Sequence, residues 1–232
     1  MKNLRKMVML AISVALTALL GACAGSYQAR SVDIKDATLF NPDILEKGTG
    51  DQALYRYVNP QADFKKYTRI MIDPVLINKA GELDAGELEN YQKLANNAYV
   101  FLTKALEKDY QIVQAPEPGT MRVQMAIVDA DSSKPVRNTL STIMPIGIGL
   151  SVVKYAATGK QSGVGEITGE AKISDAMTGA LLAAALDRRV GGKDLAKLWS
   201  SWYNADEGLQ YWANRMSFAL CQLRGGANCV EP

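Results

Sequence analysis

Residues able to do chemistry are few in this chain and narrow in kind. Its 232 residues include no histidine and three cysteines, Cys23, Cys221 and Cys229. Without an imidazole the commonest proton shuttle and zinc ligand is missing. Two thiolates near the C-terminus do not complete a zinc site, so no metal and no cofactor is expected. Ser151-Val152-Val153-Lys154 has the Ser-x-x-Lys spacing of acylating serine sites, but those sites also need Ser-Asp-Asn and Lys-Thr-Gly elements. Ser174-Asp175-Ala176 fails the first, and no Lys-Thr-Gly occurs. Asp129 and Asp131 lie two apart and would share one face of a strand, where paired carboxylates can exchange protons or hold calcium. Their place before Ser132-Ser133 suits a solvated turn better. Gly163, Gly165 and Gly169 hint at a phosphate loop, yet a dinucleotide fingerprint opens a helix and here a strand follows. Strand glycines or a bulge explain them more simply. The expectation is a protein that binds rather than catalyses.

Cys23 carries the sharpest signal. It ends Leu20-Gly21-Ala22-Cys23, after a basic start (Lys2, Arg5, Lys6) and an apolar stretch from Met7 to Leu20. Charged start, short apolar run and small residues at the cut make a secretory signal, with cleavage expected between Ala22 and Cys23. The run is too short for a spanning helix, which needs roughly 20 apolar residues. A cysteine directly after the small residues resembles a bacterial lipobox, where the thiol is acylated and becomes the first residue. Several acyl chains on one residue anchor a protein stably, whereas one binds only marginally. By resemblance to known lipoproteins, Ala24 and Gly25, in place of Asp beside the cysteine, imply the outer membrane, on its periplasmic face.

Residues 1–22 hold three of the 26 basic residues and none of the 24 acidic ones, so the remaining 210 carry 23 against 24. Nothing in that balance reads as a nucleic-acid surface. The length suits one domain with a real core, expected over residues 55–232, with 23–54 as a lipidated start and extended tether. In an oxidising compartment Cys221 and Cys229 are expected to pair, since Gly225-Gly226 lets the chain turn back. Two separate buried thiols are the alternative.

The elements that would position these residues follow from periodicity. Tyr67 to Ile77 reads as a strand, with Pro74 at a kink or edge. A helix is predicted from about Asp84 to Asp109, capped by Asp84, with Leu88, Tyr91, Ala95, Ala98, Leu102 and Ala105 in one stripe. Tyr110–Gln114 and Met121–Ala130 read as the next two strands, the second with one wet face. Val164 to Ser174 alternates, with Ile167, Ala171 and Ile173 inward and Glu166, Thr168, Glu170 and Lys172 outward. Asp175 to Gly179 forms a turn, and Ala180 to Val190 returns as a hairpin partner. Asp194 to Tyr203 and a second helix capped by Asp206 close the chain, with Gly225 after its end. Trp202 and Trp212 suit the core, and Trp199 the surface. The sum is an α+β fold: a mostly antiparallel sheet of about five strands with helices on one face.

Tyr57-Val58-Asn59-Pro60, Phe64 and Tyr67-Thr68-Arg69-Ile70-Met71-Ile72-Asp73-Pro74-Val75 are similar to the opening of the DUF3313 lipoproteins. So is Glu170-Ala171-Lys172-Ile173-Ser174-Asp175-Ala176-Met177-Thr178-Gly179, followed by a Trp-bearing helix. The likeness spans roughly residues 50–224. It rests on core strands and turns, and it implies no catalytic residue.

One segment stands apart. Met144-Pro145-Ile146-Gly147-Ile148-Gly149-Leu150 is apolar but broken by proline and glycine. It reads as a buried loop or short core helix. The sharper reading is an apolar flap, in which Met144, Ile146, Ile148 and Leu150 meet a lipid or partner. The functional expectation is an accessory or assembly module that binds another envelope protein. A lipid- or small-hydrophobe-binding protein with residues 140–155 as lid is the alternative, and an envelope hydrolase a weaker one.

Overall fold

A computed structural model describes residues 27–29, 31–79, 85–129, 140–141, 166–190 and 201–232. Among them ten strands form one sheet. In chain order they are β1 (Tyr27–Gln28), β2 (Glu46–Lys47), β3 (Tyr55–Val58), β4 (Arg69–Ile72), β5 (Leu76–Lys79), β6 (Gln111–Ile112), β7 (Thr120–Asp129), β8 (Leu140–Ser141), β9 (Glu166–Asp175) and β10 (Leu181–Val190). Two helices, α1 (Ala85–Leu106) and α2 (Ser201–Leu223), pack on each other and on the sheet. The spatial order is β2-β3-β10-β9-β7-β4-β6, with β1 beside β10, β5 beside β7, and β8 beside β5.

The sheet corrects the expected fold class. It has ten strands rather than about five, and it is mixed. β4 and β5 both run parallel to β7, and β4 runs parallel to β6. The cause is α1. Its 22 residues carry the chain back along the sheet, so the strand after it enters in the same direction as β4. β6 and β7, which succeed each other in sequence, therefore flank β4 instead of pairing. Pro74 lies in the break between β4 and β5, where a ladder donor is not required.

The β9–β10 hairpin matches its pattern. Asp175 Oδ1 accepts from the Met177 and Thr178 amides at 3.0 and 2.9 Å, and Gly179 takes φ 73°. These bonds satisfy the turn's own backbone, which is why Asp and Gly sit there.

Register sorts the side chains onto two faces. Ile173 pairs with Val123 and Ala183, and Ala171 with Met125 and Ala185, so these residues face the helices. Ile70, Ile77, Met121 and Val123 are fully buried there against α1. Tyr91, Leu94, Ala95, Ala98 and Leu102 supply the α1 stripe; Leu88, expected at its start, is 38% exposed.

The opposite face also departs from expectation. Thr168 and Glu170, predicted to point into water, are buried, and so is Ser174. Glu170 accepts from the Thr38 and Leu39 amides at 2.8 and 3.0 Å and from the Thr38 hydroxyl. Part of the span predicted as tether is thus held on the sheet, and β1 and β2 within it join the ladder through β10 and β3.

α2 runs unbroken through Asp206, which the sequence marks as a cap. The Asp206 carboxylate instead accepts from Asn97 Nδ2 of α1 at 3.0 Å. The helix ends as predicted at Gly225. With Gly225 at φ 77°, its amide bonds Gln222 O and the Gly226 amide bonds Cys221 O, which answers two terminal carbonyls. No helix among the described residues is long and apolar enough to cross a membrane.

Candidate functional site

Where β3, β9 and β10 meet α2, small side chains stand opposite one another. Gly169, Ala171, Ala183 and Ala185 occupy the helix-facing positions. The resulting cavity, about 220 Å³, lies beneath Trp212, Met216, Ala219 and Leu223 of α2, with Val58 and Met125 in its walls. The helix cannot simply drop into the gap. The indole of Trp212 already fills the space over Gly169, where an added Cβ would lie 2.5 Å from Cζ3.

Charge is arranged around this apolar hole. Asp187 pairs with Gly169 across the hairpin and is buried. Its Oδ2 accepts from Trp212 Nε1 at 2.7 Å; its Oδ1 accepts from Gln28 Nε2 at 2.7 Å and the Leu54 amide at 3.1 Å. Every donor comes from a different part of the chain, so the carboxylate ties the N-terminal segment to the sheet and to α2.

Arg189, two residues on, is also buried, and its guanidinium stacks 3.6 Å from the Tyr211 ring centroid. Burial pulls its pKa down, while Tyr211, Asp187 and Asp51 act against that. Arg215 ion-pairs Glu231 of the C-terminal tail at 3.4 Å. Arg56 of β3 also lines the cavity. Among the described residues its side chain has no ion-pair or hydrogen-bond partner.

A second polar cluster sits at the hairpin turn. Tyr67 donates to Asp175 Oδ2 at 2.8 Å, and Lys66 lies 3.8 Å from the same oxygen. The Thr178 amide is the largest cause holding Asp175 below the usual carboxylate range. Burial pushes the Tyr67 phenol up, and the bond to Asp175 adds to it. This cluster fastens the turn to the short helical turn over Phe64–Lys66.

The sequence-predicted residues fare unevenly. Cys221 and Cys229 are bonded to each other. Ala22, Cys23, Met144, Ile146, Ile148 and Leu150 lie outside the described residues, as do Asp131, Ser151, Lys154, Gly163, Gly165 and Trp199. Asp129 ends β7, paired with Lys79 of β5. Gly169 is a strand glycine, as the simpler reading had it. The cavity itself goes unread in the sequence. Its signal is the alternation of Gly169 and Ala171 with Ala183 and Ala185, two facing rows of small residues on adjacent strands.

The DUF3313 family, described as a protein of unknown function, matches residues 35–216. No curated protein matches the chain. Two solved forms of the PelC dodecamer from Paraburkholderia phytofirmans are similar. One, a point variant, has 11% identity and a TM-score of 0.36, over 75% of this chain and 96% of that one. The other has 13% identity and a TM-score of 0.34, over the same shares. A candidate lipoprotein from Caulobacter crescentus CB15 is 12% identical with a TM-score of 0.32, over 64% of this chain and 91% of that one.

Proposed function

The chain belongs to the DUF3313 family, and from that premise we propose that it is a lipid-anchored protein of the cell envelope that works by binding. Cys23 holds it at the periplasmic face of the outer membrane, where it serves as an accessory or assembly module for another envelope protein. The observation that carries this reading is Leu20-Gly21-Ala22-Cys23 directly after a basic start and an apolar run. The Cys221–Cys229 bond supports it, because such bonds persist in oxidising compartments.

Intact-mass analysis of the protein extracted from membranes tests the anchor. The expected mass is that of a chain starting at Cys23 plus acyl chains. A chain that starts elsewhere, or one without acyl mass, would overturn the address. Crosslinking in the same membranes tests the role: one envelope protein at a constant ratio supports it, and a chain that stays alone defeats it.

A further inference from the structure

We propose that the cavity beneath α2 is a binding site for a short single-chain amphipathic anion, with its carboxylate on Arg56 and its apolar chain between the small residues of β9 and β10 and the α2 side chains above them. This goes beyond the anchoring and assembly reading and does not depend on it.

Three observations carry the assignment. The first is size. At about 220 Å³ the space is smaller than the roughly 300 Å³ at which drug-sized pockets begin, and it has room for about seven groups the size of a water, at ~30 Å³ each. That fits one short chain better than the two chains of a lipid. The second is the wall. Ala171, Ala183, Ala185, Trp212 and Met216 offer no polar partners to a file of water, so an apolar occupant is favoured.

The third is the charge left unanswered. Two of the three carboxylates in the lining are already engaged. Glu170 is bonded from the far face by Thr38 and Leu39. Asp187 is bonded by Gln28, Leu54 and Trp212. The third, Asp51, is exposed to water. Of the two arginines, Arg215 has Glu231. Arg56 has no partner among the described residues; Glu46 stands opposite it on β2 but is exposed and forms no ion pair with it. Arg56 is also the cross-strand neighbour of Ala185, so the two share one side of the sheet, and both line the cavity. A carboxylate placed there gains a charge-assisted bond, and its chain buries apolar surface.

The test uses the full chain in lipid nanodiscs and octanoate brominated on its terminal carbon, with terminally brominated octanol as the uncharged control. Bromine quenches tryptophan, and Trp212 forms the wall. The expected result is saturable quenching by the carboxylate. Arg56→Gln should weaken it about tenfold or more, as loss of a charge-assisted bond does. Ala183→Leu, which fills the space, should abolish it. Octanol should bind the unaltered chain as weakly as the carboxylate binds R56Q. Equal quenching in all three proteins would mean partition into the bilayer and would overturn the proposal. So would equal affinity for acid and alcohol, or no saturable quenching at all. Should R56Q fail to fold, the acid–alcohol comparison and A183L still decide it.

Discussion

Trp212 Nε1 donates to Asp187 Oδ2 at 2.7 Å, and the same indole lies in the space that a side chain at residue 169 would take. Gly169 and Asp187 are cross-strand partners on β9 and β10. One strand position therefore yields volume to the ring and the other receives its N–H. A buried indole needs such an acceptor, and a buried carboxylate needs such donors. The arrangement fixes how far α2 stands off the sheet, and so it sets the height of the cavity.

Gly169→Ala should test that spacing. A Cβ at 2.5 Å from Trp212 Cζ3 forces the indole to move, and overpacking of this kind costs about 1–3 kcal/mol. Urea unfolding should show the unfolding free energy falling by that amount, with the midpoint lowered and the slope unchanged. The penalty should shrink in the double variant with Trp212→Phe, because the two residues share one space.

Asp187→Ala removes the acceptor for Trp212, Gln28 and Leu54 at once. Stranded donors cost about 1–3 kcal/mol each when they stay buried, so a loss of about 3 kcal/mol is expected once some reach water. Hydrogen exchange should speed at the Leu54 amide before it changes at strand centres. Unchanged exchange there would refute the clamp.

Glu170→Gln acts on the other face. Both amides share Oε2, which a glutamine oxygen can replace only without its charge, and the N–H₂ then stands in place of Oε1, where the Thr38 hydroxyl donates. The expected outcome is faster exchange at Thr38 and Leu39 and earlier proteolysis near them, with little change in α1.

The pH profile should carry the signature of the hairpin turn. Asp175 is held below its ordinary value of 3.8, so it stabilises the fold above that value and the contribution drains as pH falls through its lower folded value. Tyr67 is pushed above 10.0, so its contribution is whole below that value and is lost as pH rises toward its higher folded value. Denaturant midpoints across pH should fall at both ends, and Asp175→Asn should flatten the acid limb.

Legibility followed length of pattern. The β9–β10 hairpin was readable because ten alternating residues, an Asp-to-Gly turn and ten more alternate in register. Strands of two residues, such as β1 and β2, carry too little pattern to be counted. Parallel pairing was hidden because it depends on where α1 returns the chain, which no local signal states. Glu170 was misread for a related reason. Alternation marks which residues differ in polarity, and a glutamate reads as wet unless the segment that supplies its donors, here more than 130 residues away, is known to cover it. The C-terminal pair Cys221–Cys229 was legible because both cysteines and the glycines between them lie within a few residues.

That nearness also yields the last prediction. Gly226 sits where a Cβ would come within 2.6 Å of Cys221 Sγ and 3.3 Å of Cys229 Sγ, so the turn has room for the two sulfurs only because residue 226 has no side chain. Gly226→Ala should therefore leave a fraction of the protein with two free thiols, countable with a thiol reagent under denaturing conditions. The loop closed by the bond is short, eight residues in separation, and loop-closure entropy assigns it about 2–3 kcal/mol. The loss should fall on the tail before the core, because Glu231 loses its fixed position beside Arg215 while α2 keeps its contacts with the sheet. Reduction of the unaltered protein should reproduce both effects, with the urea midpoint falling and the tail becoming open to carboxypeptidase. A Gly226→Ala protein that oxidises fully and keeps its midpoint would show that the turn can accommodate the added carbon.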